Sequence, residues 1–190
     1  MTTDDSNQVA GRVAYQGAAG AFSHEACMDL RPWDEAVGFE TFEEAIAAVV
    51  NGDCQFAMIP VENTTVGTVE PAASMVREAG LVPVSEAWRP IRLALLGLQS
   101  ARLSDIRTAE SHPIALGQCG IALGELKIAP VTVFDTGGAA AAVAEAGDVT
   151  RAAVAPVRAA EVYGLQVLRT DLQDRSDNRT RFLLLAAPDA

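Results

Sequence analysis

Thr180-Arg181-Phe182-Leu183-Leu184-Leu185-Ala186 is an apolar run near the end of the chain, and it predicts a buried β-strand. Upstream of it, segments of strand length alternate with segments of helical periodicity, beginning with the strand Val13-Ala14-Tyr15-Gln16. Such alternation is typical of mostly parallel sheets covered by helices. Because a whole second set of these units precedes the last strand, we predict an α/β protein of two lobes, with the second lobe inserted into the first.

The boundaries of the lobes follow from a change of pattern around residue 90, where extended runs interrupted by proline replace the alternation. We assign residues 11–89 together with 168–190 to lobe 1, and residues 90–167 to lobe 2. The polar segment 1–10 is expected to be a disordered leader. Two such lobes place a ligand cleft between them, at the carboxyl ends of the strands.

Composition and charge narrow the class of partner. The chain has 190 residues, of which 49% are hydrophobic, and a formal net charge of -11. This balance predicts a globular protein and argues against nucleic-acid binding, which needs a basic surface. No apolar run has the length of a membrane span, and the acidic N-terminal segment does not look like a signal peptide. We therefore expect a cytoplasmic protein that binds neither membranes nor nucleic acids.

The cysteines and histidines do not predict a metal site. Cys27, Cys54 and Cys119 are far apart and lack a CxxC spacing, and His24 and His112 are the only histidines. Zinc sites are normally built from four such ligands. We interpret the cysteines as small buried residues in a reducing compartment, and both histidines as structural.

The segment Asn178-Arg179-Thr180-Arg181-Phe182 carries the strongest indication of a binding site. The Thr180 hydroxyl stands between two guanidinium groups at the mouth of the buried strand. Arginine binds carboxylates in a fork geometry, and a hydroxyl can hydrogen-bond a group on the bound anion. The segment therefore predicts a site for a small polycarboxylate.

Four further segments with hydroxyl and amide side chains end a predicted strand and precede a predicted helix. Helix N-termini offer free N–H groups and a positive dipole end, which suit carboxylates. For any one of the hydroxyl residues alone, an ordinary helix N-cap is the better explanation. The occurrence of four in one cleft, together with Thr180, favours ligand binding. The residues are Ser23, Asn63-Thr64-Thr65, Ser111 and Thr136.

In their order along the chain, these segments resemble the catalytic domain of prephenate dehydratase. The resemblance extends over nearly all of residues 13–185, and its specificity comes from the ordered set and not from any single piece. The matching pieces are YQGAAGAFS (15–23), IPVENTTVG (59–67), SHPIALGQC (111–119), AAVA (152–155), AAEVYGL (159–165), and the run from Gln173-Asp174 to Asn178-Arg179-Thr180-Arg181-Phe182.

The resemblance implies two α/β lobes like those of a type II periplasmic binding protein, with the active site in the cleft between them. It implies decarboxylative dehydration of prephenate to phenylpyruvate, without a cofactor, in a homodimer. It also implies that Thr180 is the catalytic residue. The family usually carries a C-terminal regulatory ACT domain that binds phenylalanine. We expect that domain to be missing from this chain, which ends shortly after the last strand.

The remaining candidate site residues are expected to bind the substrate. Ser23, Asn63, Thr65 and Thr136 are expected to hold the pyruvyl group, with Thr64 and Ser111 beside them. Phe182 is expected either to pack on the substrate ring or to belong to the core. The polar residues are assigned from their places at strand ends and helix starts, where backbone N–H groups suit a carboxylate.

Two arginines are candidate anion ligands. Arg181 is expected to anchor a carboxylate, or else to form a structural ion pair with Glu62. Arg92 stands where the family frequently has histidine, so that it adds a cation near the cleft, or else is an exposed strand residue. Both alternatives are open for each arginine.

Other activities are compatible with parts of this pattern. Dehydration of arogenate, which has an amino group in place of the keto group, would be favoured by an acidic side chain near the ligand tail. A decarboxylase that keeps the hydroxyl fits less well because Thr180 is present. A non-catalytic small-anion-binding protein of the same fold is disfavoured by the intact Thr180-Arg181-Phe182. Dinucleotide binding is disfavoured because Gly17 and Gly20 do not complete a G-x-G-x-x-G pattern.

Overall fold

The computed structural model describes residues 11–188, which form two lobes, each built on its own sheet. The leader predicted for residues 1–10 lies outside the described residues. The first lobe contains β1 (Arg12–Gln16), α1 (Phe22–Leu30), β2 (Glu35–Phe39), α2 (Phe42–Val50), β3 (Phe56–Asn63), β4 (Gly67–Thr68), α3 (Ala72–Glu78), β5 (Val82–Pro90) and, after the second lobe, β11 (Arg179–Ala186).

The second lobe is inserted between β5 and β11. It contains β6 (Ala94–Gly97), a short 3-10 turn (Leu103–Asp105), β7 (Thr108–Ser111), α4 (Pro113–Gly117), α5 (Gly120–Leu126), β8 (Ala129–Thr132), α6 (Thr136–Ala146), β9 (Arg151–Ala155), α7 (Val157–Tyr163) and β10 (Gln166–Arg169). Since β10 pairs with β6, the chain leaves this sheet only after Arg169, so β10 spans the 167/168 boundary assigned from the sequence.

The first sheet has the strand order β2-β1-β3-β11-β5, with β4 added to β3. β1 is parallel to β2 and β3, whereas β11 is antiparallel to both β3 and β5. The prediction of a mostly parallel sheet is therefore wrong. The chain returns from the second lobe on the side where β3 ends, so β11 must run away from the cleft.

The second sheet has the order β10-β6-β9-β7-β8 and is mixed as well. β7 is parallel to β8 and β9, while β6 is antiparallel to β9 and to β10. The interiors of both lobes are made largely of alanine, valine, leucine and isoleucine from the strands and the inner helix faces. All three cysteines are free and buried, which confirms their interpretation as core residues.

One predicted helix is divided in two. The pattern of residues 112–126 predicts a continuous helix, but α4 ends before Gln118 and α5 begins after Cys119. The carboxylate of Asp174 accepts hydrogen bonds from the backbone N–H groups of Ile121 and Ala122, and its own N–H donates to the carbonyl of Gln118. This distant acidic residue supplies the cap that starts the second helix.

The loop of residues 18–21 in the first lobe packs against α6 and α7 of the second lobe. The Tyr163 hydroxyl donates to the carbonyl of Ala19 at 2.8 Å, and Asp29 of α1 accepts from Arg158 of α7. At Gly137 a Cβ atom would lie 2.6 Å from the carbonyl oxygen of Ala19. The first turn of α6 therefore needs glycine to approach the first lobe. Among the described helices, none has the length and apolar character needed to cross a membrane.

Candidate active site

Asn63 and Thr180 face each other at the paired ends of β3 and β11. The register of the two strands sets these residues opposite each other, and both are buried. The Nδ2 atom of Asn63 donates to Oγ1 of Thr180 and to Oδ1 of Asn178, both at 2.9 Å. Two residues 117 positions apart in the chain thus share one hydrogen-bond network.

The orientation of the Asn63 amide is fixed by its surroundings. Its Oδ1 atom accepts from the backbone N–H groups of Thr65 and Val66, at 2.8 and 3.0 Å. Backbone N–H groups are always donors, so Oδ1 must face them and Nδ2 must face Thr180. Within residues 11–188 no group accepts a hydrogen bond from the Thr180 hydroxyl. Since the hydroxyl oxygen already accepts from Asn63, the hydroxyl hydrogen remains available to a ligand.

Thr180 and Asn63 line a cavity of about 390 Å3 between the two lobes. This volume lies in the range of ~300–1,000 Å3 that is typical of small-molecule sites. The wall is mainly apolar, with a few convergent polar groups. The lining residues are Phe22, Ser23, Pro60, Asn63, Val66, Thr68, Val69, Glu70, Ile91, Ile114, Ala115, Gln118, Thr136, Thr180 and Phe182.

Two helix N-termini meet at this cavity, one from each lobe. α1 begins after Ala21, which cannot cap it with a side chain, and Ser23 in its first turn is buried at the wall. α6 begins with Thr136, also buried at the wall, and is capped by Asp135. The first N–H groups of a helix and its positive dipole end favour a carboxylate. These two ends are the groups at the cavity that suit an anion in a protein of negative net charge.

The structure does not place Arg181 in the cavity. Side chains alternate along a strand, so Thr180 and Phe182 line the cavity while Arg181 points to the other face of the sheet. There its guanidinium lies 3.3 Å from a carboxylate oxygen of Glu62 and 3.5 Å from one of Glu86. The structural ion pair with Glu62 is therefore the correct alternative, and Glu62 lies outside the cavity with it.

Arg92 is also outside the cavity. Its guanidinium forms an ion pair with Asp171 at 2.8 Å, in which both side chains are mostly exposed. An exposed pair of this kind neither reaches the cavity nor offers a free cation to an anion there. The alternative of an exposed arginine is correct, and the expected cation near the cleft is wrong for this residue.

Two hydroxyl residues expected at the site have structural partners elsewhere. The Ser111 hydroxyl donates to the carbonyl of Val154 at 2.6 Å and ties β7 to β9 beneath the surface. Thr64 donates to the carbonyl of Asp177 and accepts from the N–H of Arg179. These two threonine bonds fix the turn after β3 to the start of β11, so that Thr64 positions the site without lining it.

Thr65 lies behind the cavity wall. Its hydroxyl donates to Oδ1 of Asn178 at 3.2 Å, and it lines a smaller neighbouring cavity of about 170 Å3. Asn178 accepts from Asn63 and Thr65 with its oxygen, and its buried Nδ2 atom has no partner in residues 11–188. Thr65 thus supports the network behind Thr180 and does not contact the cavity that Thr180 lines.

Both histidines accept hydrogen bonds from the backbone. His24 Nδ1 accepts from the N–H of Gly20 at 3.0 Å, and His112 Nδ1 accepts from the N–H of Ile114 at 3.3 Å. Burial lowers the pKa of both histidines, and the nearby Arg158 lowers the pKa of His24 further. Both imidazoles are therefore neutral acceptors at neutral pH.

Gln118 and Glu70 are site residues that the sequence did not indicate. Ile114 and Gln118 both line the cavity and are four positions apart, a spacing that sets two residues on one helix face. That spacing within the SHPIALGQC segment was a usable indication of Gln118. Glu70 reaches the cavity through the turn between β4 and α3, and no local pattern indicates it.

The architecture defines a class of protein: two mixed α/β lobes joined around a small-molecule cleft, as in periplasmic binding proteins. The lipoprotein Tp32 from Treponema pallidum has the same fold, with a TM-score of 0.51 and 13% identity over 95% of this chain and 84% of Tp32. This likeness confirms the predicted fold class. Within that class, the family model for prephenate dehydratase matches residues 13–190, and the chain belongs to the prephenate dehydratase family.

Curated relatives are similar over most of this chain. The bifunctional N-acyl-homoserine lactone acylase/prephenate dehydratase of Komagataeibacter europaeus is 39% identical over 90% of the chain and 61% of that protein. Arogenate dehydratase/prephenate dehydratase 2 of Arabidopsis thaliana is 38% identical over 98% of the chain and 49% of that protein. The chain thus spans about half to three fifths of the length of these curated relatives.

A solved structure supports the same family. Prephenate dehydratase from Arthrobacter aurescens, solved in complex with L-Phe, superposes with a TM-score of 0.82 and 28% identity. The match covers 94% of this chain and 61% of that structure. Both lobes of the present chain thus have counterparts in a prephenate dehydratase.

Proposed function

We propose that the chain catalyses the decarboxylative dehydration of prephenate to phenylpyruvate. The observation that supports this most is the Thr180 hydroxyl, which accepts from Asn63 and keeps its hydrogen free at the wall of an apolar cavity. The reaction needs a donor at one end of a ring and an anion-binding region at the other. Membership of the prephenate dehydratase family supports the same activity.

The chemistry is driven by the formation of an aromatic ring. The bond between the ring carbon and its carboxylate breaks, the electron pair moves through the ring, and the hydroxyl on the opposite carbon leaves. Prephenate dianion and one proton give phenylpyruvate, carbon dioxide and water. The leaving oxygen needs a hydrogen bond or a proton, which the Thr180 hydroxyl is positioned to give. General acid assistance typically contributes ~10²–10⁴ in rate, and a hydroxyl acts here mainly by stabilising the departing oxygen.

The helix N-termini are suited to the carboxylate of the pyruvyl group. Ser23 and Thr136 present hydroxyls there, next to the first N–H groups of α1 and α6. The ring carboxylate would then face the apolar side chains of Ile91 and Ile114. Poor solvation of a carboxylate favours its loss as carbon dioxide. The same ring would pack against Phe182, which lies beside Thr180 on the cavity wall.

The direct test is to incubate the purified chain with prephenate and to follow phenylpyruvate by its absorbance in alkali. Turnover that depends on Thr180 is the expected result. If the folded chain forms no more phenylpyruvate than a heat-treated sample does, the proposal is overturned. The hydrolysis of an N-acyl-homoserine lactone is measured in parallel, because the Komagataeibacter europaeus relative carries both activities in its name.

A second candidate substrate is arogenate, the amino acid that corresponds to prephenate. The observation that favours it is Glu70, an acidic side chain at the cavity wall. The arogenate dehydratase/prephenate dehydratase of Arabidopsis thaliana lends support by its similarity. Phenylalanine formed from arogenate is measured by chromatography in the same experiment.

We also propose that the chain acts as a homodimer in the cytoplasm. β5 lies at an edge of the first sheet and leaves Val84 and Trp88 largely exposed, which supports an apolar interface with a second copy. Light scattering that gave only the 19.9 kDa monomer at working concentration would overturn the dimer. Fractionation of the cells that express the protein tests its compartment.

A further inference from the structure

Glu70 and Thr180 line the same cavity but come from different elements, Glu70 from the turn before α3 and Thr180 from β11. A second cavity of about 380 Å3 shares part of its wall with the first. Glu70, Ser23 and Thr136 line both cavities, whereas Thr180 and Asn63 line only the first. Glu70 therefore stands with the two helix N-termini, on the wall that the two cavities share and to which Thr180 does not belong.

The carboxylate of Glu70 is held in place and ionised. Its Oε2 atom accepts from the hydroxyl of Ser74 at 2.8 Å and from the N–H of Ser74 at 3.3 Å. These hydrogen bonds, helped by Arg77, keep the pKa of Glu70 below its ordinary value. Arg77 lies 3.6 Å from Oε1, and both side chains are about half exposed or more, so solvent screens this pair.

Glu70 also determines the sign of the charge at the cavity. Of the lining residues, all of which belong to the described part of the chain, it is the one with a formal charge. Arg77 is paired with Glu70 itself, and Arg181 is engaged with Glu62. A ligand at the shared wall meets helix N–H groups for its carboxylate, with the carboxylate of Glu70 beside them. Asp135 also lines the second cavity, where it caps α6 and accepts from the N–H of Gly138.

The two candidate substrates differ only in the group that this charge would meet. In both, the tail and the ring carboxylate stand on the carbon opposite the hydroxyl. With the hydroxyl at Thr180, we place the tail toward the shared wall of Ser23, Thr136 and Glu70, where the helix N-termini suit its carboxylate. The prephenate tail carries a keto group and the molecule has a net charge of about -2, whereas the arogenate tail carries an ammonium group and its net charge is about -1.

We propose that Glu70 distinguishes between the tails of the two substrates, and that its charge shifts the preference of the site toward arogenate, the amino acid. This inference rests on the proposed function, because it uses the orientation that the Thr180 hydroxyl imposes. An ammonium group beside Glu70 gains a charge partner, while the dianion gains only repulsion. The keto substrate is still accepted, since its carboxylate binds the same helix N-termini.

The test compares kcat/KM for arogenate and for prephenate in the wild type, in Glu70→Gln and in Glu78→Gln. Glutamine keeps an acceptor for Ser74 and removes only the charge. Glu78 is an exposed carboxylate on α3 that does not line the cavity, so Glu78→Gln removes an equal charge from a nearby position outside the site.

We expect Glu70→Gln to change each kcat/KM by about two- to fivefold in opposite directions, as for an exposed charge pair. The arogenate-to-prephenate ratio should therefore fall by about 4- to 25-fold, and Glu78→Gln should leave it unchanged. A ratio within twofold of the wild type in Glu70→Gln, or an equal fall in Glu78→Gln, overturns the assignment. Thermal unfolding of both variants shows that they are folded.

Dissociation constants measured by calorimetry separate this inference from the proposed function. If the wild type turns over neither compound, the proposed function fails, but binding still tests the charge preference. Tighter binding of the amino acid than of the keto acid, lost in Glu70→Gln, supports the role of Glu70. Equal binding of the two compounds by the wild type, or binding of neither, overturns it.

Discussion

Thr180 and Arg181 are consecutive in the chain, but their side chains lie on opposite faces of β11. Thr180 is hydrogen-bonded to Asn63 at the cavity, while Arg181 is paired with Glu62 and Glu86 outside it. Consecutive side chains of a strand point to opposite faces of the sheet. Thr180 is therefore available to a ligand in the cavity, while Arg181 forms ion pairs that link β11 to β3 and β5. This division makes opposite predictions for the two residues.

For Arg181→Lys we expect KM and kcat for prephenate within about threefold of the wild type, because the side chain does not reach the cavity. The free energy of unfolding should fall by about 0.2–1 kcal/mol, the usual value of a partly exposed ion pair. Steady-state kinetics and urea unfolding measure the two effects. A tenfold rise in KM would show that Arg181 contacts the substrate after all.

For Thr180→Ala we expect a loss in kcat of ~10²–10⁴, because the donor to the leaving oxygen is removed. The change also removes an acceptor of the Asn63 amide, so the free energy of unfolding should fall by about 0.5–1.5 kcal/mol. Thr180→Ser keeps the hydroxyl and should retain most of the activity. Thr132→Ala, at an exposed threonine of β8, is the matched control. Turnover of Thr180→Ala near that of the control would remove the hydroxyl from the mechanism.

For Asn63→Asp we expect a fall in kcat of about 10²–10³, as is typical when a preorganised donor is lost from a site. A carboxylate cannot donate to Thr180, and the hydroxyl would instead turn its hydrogen toward the introduced carboxylate and away from the ligand. Asn51→Asp, at the exposed end of α2, introduces the same charge outside the site. Equal kcat values for these two variants would contradict the role of the Asn63–Thr180 bond.

For Gly137→Ala we expect a loss of about 1–3 kcal/mol in the free energy of unfolding, as for overpacking of a tight contact. KM should rise as well, because the added methyl group would displace the loop of residues 18–21 from the start of α6. Gly124→Ala is the control: no atom lies within 4 Å of its added Cβ, and alanine should stabilise that helix by about 0.5–1 kcal/mol. Urea unfolding of both variants distinguishes the effect of the tight contact at Gly137 from the effect of alanine on helix propensity.

The pH dependence of stability should carry a contribution from His24 and His112. Burial lowers the pKa of both groups in the folded state, so the unfolded chain binds more protons as the pH falls. Their contribution is fully present above the unfolded pKa of about 6.5, and it is lost as the pH falls through the lower folded value. Urea unfolding at pH values of about 7.5 and 5.5, on either side of that unfolded pKa, measures the change.

The matched variant for that measurement is His24→Asn combined with His112→Asn, which removes both titrating groups. The variant should lose less free energy of unfolding than the wild type between the two pH values. The aspartates whose pKa is lowered, such as Asp148 and Asp177, titrate below this window. An identical fall in the two proteins would show that the histidines do not contribute.

Local signals accounted for much of the fold. In the sequence, a threonine followed three residues later by glutamate predicts a capping box at Thr41 and Glu44, and this box is formed in full at the start of α2. It could be predicted because both partners lie within four residues of each other. The break between α4 and α5 could not, because Asp174, which caps α5, lies more than fifty positions away in the chain.

The site was predicted in part for the same reason. Thr180, Asn63, Ser23 and Thr136 were indicated by their places at strand ends and helix starts, and all four line the cavity. Arg181 was misplaced because its charge outweighed the alternation of the strand, which already put it on the other face from Thr180. Glu70 was missed because it lies in the turn between β4 and α3, where no local pattern indicates a site.

The late return of β11 has a consequence for the synthesis of the protein. β11 lies between β3 and β5, and it joins the central strand of the first sheet only after the whole second lobe has been made. Until β11 has been synthesised, the edges of β3 and β5 that it will join have no partner strand. These edges are open to association with other chains. Thr180, which we propose as the catalytic residue, lies on β11. A nascent or shortened chain that lacks β11 therefore exposes these edges and also lacks Thr180.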